Sequence, residues 1–371
     1  MPSPSYPAPS PRRGFRFRRA RRWWTAAAVV LVLGLISWAV LQYTGVLSGK
    51  GDPVTFGDDA AGSPRQAGAA PHRSDPVDEA PETRMPTGPA ADLREESRLA
   101  DGTVIAKTTL QGAKSGFTGK VWVWAPKQYK EPQYRKSGFP VLVALPGGPG
   151  ASGNYWIGTN LKLQSSIAKW SQEGKAQPFI VVMPVLNPGT DKKEDYHDGS
   201  DIPGRPKMGT WLAEDVPDFV RANFRTLKSR DGWAFMGSSS GGFAGLKTVL
   251  QHPDSFKAVI ASGPDIVPDS PHWKGHEAER QANNPQKLAQ QLIDTKGPDV
   301  YLAFQYGTAE HPITINGVNG FIKTYGDKGP VHTHLTQIPG GLHNAETYVR
   351  GMGMGPMEWI SQHLQGPTPR P

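Results

Sequence analysis

Trp233-Ala234-Phe235-Met236-Gly237-Ser238-Ser239-Ser240-Gly241-Gly242-Phe243-Ala244 is the stretch on which the reading of this 371-residue chain turns. Its first four residues are an apolar run of strand length, and small and apolar residues after Gly241 open a helix. Between them stands a G-x-S-x-G pentapeptide. A sharp strand-to-helix turn strains the backbone of its central residue and brings chain segments so close that the flanking positions need glycine. Ser239 has glycine two residues away on either side, whereas Ser240 would have Ser238 as its preceding partner. The plainer alternative is a Ser/Gly turn that only caps a helix, and the strand before it and helix after it favour the elbow.

Working outward, short apolar runs alternate with longer helical patterns. Strands are expected at 103–110, 120–125, 141–145, 179–183, 233–236, 258–262, 300–306 and 334–338. Helices are expected near 161–170, 211–224, 243–251, 285–293, 320–325 and 345–365. Opening hairpin strands followed by β/α alternation predict an α/β domain over residues 99–366, with a mostly parallel, doubly wound sheet covered on both faces. Chemistry in such a sheet belongs at the C-terminal strand ends.

A serine hydroxyl needs a base. His343 follows the last expected strand in the loop Pro339-Gly340-Gly341-Leu342-His343, just before a helix. The acid that orients the base should end an earlier strand. Glu310, in Gly307-Thr308-Ala309-Glu310, meets that condition, and Asp265, in Ser262-Gly263-Pro264-Asp265, is the alternative acid. The order Ser239, Glu310, His343 is the nucleophile–acid–histidine order of the α/β-hydrolase fold. Pro146-Gly147-Gly148-Pro149-Gly150 leaves the strand at 141–145, where glycines let backbone N–H groups turn toward an oxyanion; Gly148 N–H and Ser240 N–H are the expected pair. No metal and no cofactor is expected: cysteine is absent, and the His332/His334 pair has no evident third ligand.

The N-terminal quarter reads differently. Seven arginines precede residue 23, and without them the formal charge falls from +8 to +1, so a basic nucleic-acid surface is not expected. Residues 1–22 read as a basic cytoplasmic tail. Residues 23–49 carry no charge, and the 21 residues 23–43 would span about 31 Å as a helix, close to a bilayer core, with Trp23, Trp24 and Tyr43 at its ends. This is read as an uncleaved transmembrane signal anchor that leaves the remainder outside the cytoplasm; a cleaved signal peptide is the alternative, although no clean cleavage site follows. Residues 44–98, rich in Gly, Pro and Ala, are expected to be a disordered tether.

The segment Trp211-Leu212-Ala213-Glu214-Asp215-Val216-Pro217-Asp218-Phe219, the elbow, His252-Pro253 and Ser262-Gly263 together resemble the esterase D-like branch of the α/β-hydrolases, which includes the mycolyltransferases. The resemblance extends over about residues 120–365. It implies Ser239 as nucleophile, Glu310 as acid, His343 as base, and Gly148 and Ser240 at the oxyanion positions. The sequence differs in the loop 146–150, where the mycolyltransferases carry an aspartate and bulkier residues, so acyl chemistry is implied rather than a named substrate.

The expected activity is therefore a membrane-tethered serine esterase acting on acyl esters, lipid or glycolipid among them. An acyltransferase that passes the acyl group to a sugar or lipid hydroxyl shares the same first half-reaction. A silent envelope-binding protein is disfavoured by the presence of residues for every role. A serine peptidase is disfavoured by the lack of an evident inserted cap domain. Residues 196–208 and 265–281 should overhang the site, with Tyr196, His197 and Trp273 as possible pocket residues.

Overall fold

The computed structural model describes residues 51–56, 81–190 and 193–370. The expected tail (1–22) and anchor (23–43) lie outside the described residues. Among the described residues no helix is long and apolar enough to cross a membrane.

A nine-stranded sheet forms from β1 (Arg94–Arg98), β2 (Val104–Gln111), β3 (Thr118–Trp124), β4 (Val141–Leu145), β5 (Ile180–Pro184), β6 (Trp233–Ser238), β7 (Ala258–Ser262), β8 (Val300–Gly307) and β9 (Val331–Ile338). The spatial order is β9-β8-β7-β6-β4-β5-β3-β2-β1. The six strands from β9 to β5 are mutually parallel, and β3, β2 and β1 continue the sheet antiparallel. This is the expected mostly parallel sheet.

Every residue of β4, β5, β6 and β7 is buried, which requires cover on both faces. The cover comes from α1 (Leu163–Gln172), α2 (Val216–Asn223), α3 (Ser240–Gln251), α4 (Pro285–Thr295), α5 (Pro312–Tyr325), α6 (Ala345–Met352) and α7 (Pro356–Gln362). Helix α3 packs across β4, β6 and β7, while α7 packs on β7, β8 and β9. One core runs through both layers, with Trp124, Trp156, Trp211 and Trp233 fully buried in it.

Three sequence expectations change. The boundary at 98/99 is too late, because β1 and the bridge of Thr83–Arg84 to Leu227 and Thr226 already belong to the domain. Phe56, Leu93 and Leu99 are the apolar anchors of this segment, and Phe56 packs on Phe224 with ring centroids 5.2 Å apart. They are too sparse for the polar strand Arg94–Arg98 to register as structure by composition. The expected helix 345–365 is two helices, α6 and α7, because Gly353 to Gly355 turn the chain and Pro356 opens the second. Conversely, the helix expected at 320–325 extends back to Pro312, its internal glycines having hidden the first turns.

Register brings the functional loops together. Gly237 of β6 pairs with Leu145 of β4 and Ala261 of β7; Ser262 pairs with Gln305 of β8; and Gly307 pairs with Ile338 of β9. The loops leaving β4, β6, β7, β8 and β9 therefore open side by side at one end of the sheet.

Candidate active site

Ser239 sits between β6 and α3 with φ 54° and ψ −125°, a conformation that costs energy for any side-chain-bearing residue. The neighbours make it unavoidable. A Cβ on Gly237 would lie 2.3 Å from the carbonyl oxygen of Gly241, and one on Gly241 would lie 2.3 Å from that of Pro146. Ser239 N–H donates to the Ser262 carbonyl at 2.9 Å, and the Ser239 carbonyl accepts Phe243 N–H at 2.9 Å, fixing the turn from both sides.

The three serines of the elbow are not equivalent. Ser238 is buried and its hydroxyl bonds with that of Tyr155. Ser240 is buried and its hydroxyl donates to the Gly148 carbonyl at 2.6 Å. Ser239 is half-buried, and among the described residues its hydroxyl makes no hydrogen bond. It is the one hydroxyl of the turn free to react.

Glu310 and His343 meet at the ends of β8 and β9. His343 Nδ1 lies 2.7 Å from Glu310 Oε2. The Glu310 side chain is fully buried and the His343 side chain is 43% exposed. Glu310 Oε1 accepts Gly307 N–H at 2.7 Å and the Tyr348 hydroxyl at 3.0 Å. Tyr348, at the start of α6, also places its hydroxyl 2.7 Å from His343 Nδ1. A consistent assignment has Tyr348 donating to Glu310 and Nδ1–H shared between the carboxylate and the phenol, which leaves Nε2 as the basic nitrogen. The hydrogen bond that His343 donates to Glu310, opposed in part by burial, holds the imidazole above its usual range. Burial, reinforced by the carboxylate, holds the Tyr348 hydroxyl well above its own, so it stays a donor.

The Ser239 turn adjoins this cluster. Ser239 bonds the carbonyl of Ser262, and the next residue is Gly263, with φ +50°. A Cβ on Gly263 would stand 2.2 Å from the Tyr348 hydroxyl, 2.7 Å from Glu310 Oε2 and 3.0 Å from His343 Nδ1. No hydrogen bond joins Ser239 to His343, and contacts between nucleophile and base commonly tighten only when substrate binds.

Asp265 leaves β7 at the same end, and burial pushes its carboxyl up. It makes no hydrogen bond with His343; Glu310 does. On the other side of the elbow, Gly148 is exposed with φ +65°, and among the described residues neither its N–H nor that of Ser240 has a backbone partner. Tyr155 braces this loop by accepting Gly147 N–H at 2.7 Å while bonding Ser238. Tyr155, Gly263 and Tyr348 carry no sequence signature for these roles. Their contacts reach across loops, and no local pattern marks them.

The chain matches the Esterase family ("Putative esterase") over residues 117–328, more than half its length. Ser239 and Glu310 fall inside that stretch and His343 beyond it. An uncharacterised protein of Corynebacterium glutamicum is 24% identical over 218 residues, 56% of this chain; the chain spans about half the length of that curated relative (49%). Among solved structures, a ferulic acid esterase superposes with a TM-score of 0.57 at 18% identity, covering 71% of this chain and 99% of the other. The S-formylglutathione hydrolase of Agrobacterium tumefaciens also gives 0.57, at 16% identity with 73% and 99% covered. MPT51 of Mycobacterium tuberculosis gives 0.50, at 17% identity with 70% and 98% covered. The chain belongs to the Esterase family, and its fold is that of the solved esterase and hydrolase on which it superposes.

Proposed function

We propose that this protein is a membrane-anchored, extracytoplasmic serine esterase that cleaves acyl esters through Ser239, His343 and Glu310. The observation that carries the reading is the 2.7 Å pairing of His343 with a fully buried carboxylate, on loops that adjoin the strained Ser239 turn.

In this mechanism Ser239 Oγ attacks the ester carbonyl as His343 Nε2 takes its proton. Glu310 stabilises the imidazolium that forms and fixes the ring orientation. Gly148 N–H and Ser240 N–H receive the oxyanion, each without a backbone partner to give up among the described residues. His343 then protonates the leaving alcohol, and water, activated by the same imidazole, releases the acid and restores Ser239. The raised affinity of His343 for a proton supports the step in which imidazolium accumulates.

The uncharged run 23–43 behind seven arginines supports a single pass with the N-terminus cytoplasmic and the catalytic domain outside. One assay tests reaction and placement together. Membranes from cells expressing the full chain are washed in high salt and given aryl and alkyl esters, with and without sugar or lipid alcohols. The account expects ester hydrolysis to stay in the pellet, with free acid as the product in both conditions. A soluble active form beginning near residue 45 overturns the anchor. Acylated alcohol as the main product makes the enzyme an acyltransferase.

A further inference from the structure

Two loops flank the β7 end of the sheet and are bound to each other by an unusual density of polar contacts. The first runs through residues 195–201, the second through 265–273. Asp198, fully buried with φ +54°, accepts Trp273 Nε1–H at 2.6 Å, Ser270 N–H at 3.0 Å and Asp269 N–H at 3.2 Å. Lys247, fully buried on α3, donates to the Gly199 carbonyl at 2.7 Å. Asn187 accepts the N–H groups of His197 and Gly199 at 3.0 and 3.1 Å. The loop backbone is thus held without any help from the side chains of Asp195, His197 and His272.

Those three side chains converge. Asp195 Oδ1 lies 2.5 Å from His272 Nε2, and Asp195 Oδ2 lies 2.9 Å from His197 Nε2. One donor atom from each residue lies within 4.8 Å of the other two. His197 is fully buried, yet neither of its ring nitrogens makes a well-formed hydrogen bond; its approach to Asp195 is close but off-line. Burying an imidazole with both nitrogens unsatisfied is costly, and the Nε2 atom points into the cluster. Asp195 and His272 are 34% and 21% exposed, so an ion can enter from solvent.

We propose that Asp195, His197 and His272 form a binding site for a zinc-class divalent cation that staples the two loops together. Two imidazole nitrogens and one carboxylate oxygen are the donors such ions select; calcium and magnesium take oxygen-rich sites. One negative charge among the ligands suits a dication, with water completing the coordination. Donors around zinc stand farther apart than direct hydrogen-bond partners, so the partly exposed Asp195 side chain must swing outward by about 1 Å or less. The site departs from the expectation that the chain carries no metal, and it concerns loop order rather than the ester chemistry. It stands or falls independently of the roles of Ser239, His343 and Glu310.

The test uses the purified full chain, stripped with a chelator and titrated with zinc chloride. Bound metal is counted by mass spectrometry and Co²⁺ substitution is followed by visible absorption. His272→Gln and Asp195→Asn are the variants, because both positions are partly exposed; circular dichroism checks that they fold. The wild type should bind one Zn²⁺ per chain at least tenfold more tightly than either variant. It should give tetrahedral or five-coordinate Co²⁺ bands that both variants lack, and zinc should raise its Tm but not theirs. No saturable zinc binding by the wild type, or equal binding by the wild type and both variants, overturns the site and leaves an Asp–His hydrogen-bond cluster.

Discussion

Two of the places where a carboxylate meets imidazole, the Glu310–His343 pair and the Asp195 cluster, are built in opposite ways. At the candidate active site the carboxylate of Glu310 is fully buried and receives Gly307 N–H, the Tyr348 hydroxyl and His343, while His343 is 43% exposed. At the loop cluster the carboxylate of Asp195 is 34% exposed and it is His197 that is fully buried. The consequence is opposite in sign. The hydrogen bond to Glu310 lifts the His343 proton affinity; burial lowers that of His197, and Asp195 only partly offsets it. A base must reach solvent or substrate with its anion held behind it. A buried imidazole with an accessible carboxylate beside it is placed to hold something rather than to shuttle protons. Both places set a carboxylate against imidazole, and which partner is buried decides the use.

The largest expected effect comes from removing the buried anion. Glu310→Gln should lower kcat by roughly 100- to 10,000-fold with the fold intact. It should also move the acidic limb of the pH profile. In the wild type His343 binds its proton more tightly than an ordinary histidine of about 6.5, so kcat/KM should rise with pH through a limb above that value. Without Glu310 the chief cause of that shift is gone, and the limb should move to lower pH. A limb that stays in place would separate His343 from Glu310.

Tyr348→Phe is the intermediate case. It deletes one hydroxyl that touches both Glu310 and His343, so kcat should fall about tenfold, the scale of one hydrogen bond to a charged group. Steady-state kinetics at saturating ester would show it, and an unchanged kcat would make Tyr348 a packing residue only. The smallest effect belongs to Asp265→Asn. This carboxyl makes no hydrogen bond with His343 and acts on it only through its charge, so kcat should change by no more than about threefold. A loss as large as that of Glu310→Gln would return the acid to the end of β7.

What was legible from sequence follows how local each signal is. The elbow could be read because Gly237 and Gly241 are required by backbone approaches of 2.3 Å within and beside one turn. The strand ends carrying Glu310 and His343 could be read because the apolar runs that precede them are short and cleanly bounded. Tyr348 could not, since its value lies in contacts with Glu310, 38 residues earlier, and across a helix start. Asp195 and His272 are 77 residues apart and meet only once the two loops fold over each other. Residues 81–98 read as tether in the sequence because two buried leucines, Leu93 and Leu99, bracket a strand that is otherwise polar, and an edge strand needs little more.

The central claim is that Ser239 carries the acyl group. The most direct measurement is covalent labelling of the full chain with a fluorophosphonate, followed by peptide mass mapping. The account predicts one adduct per chain on the peptide containing Ser239, none in Ser239→Ala, and retained labelling in Ser238→Ala and Ser240→Ala, whose proposed contributions do not include the attacking oxygen. An adduct on another residue, or undiminished labelling and ester turnover in Ser239→Ala, would contradict it.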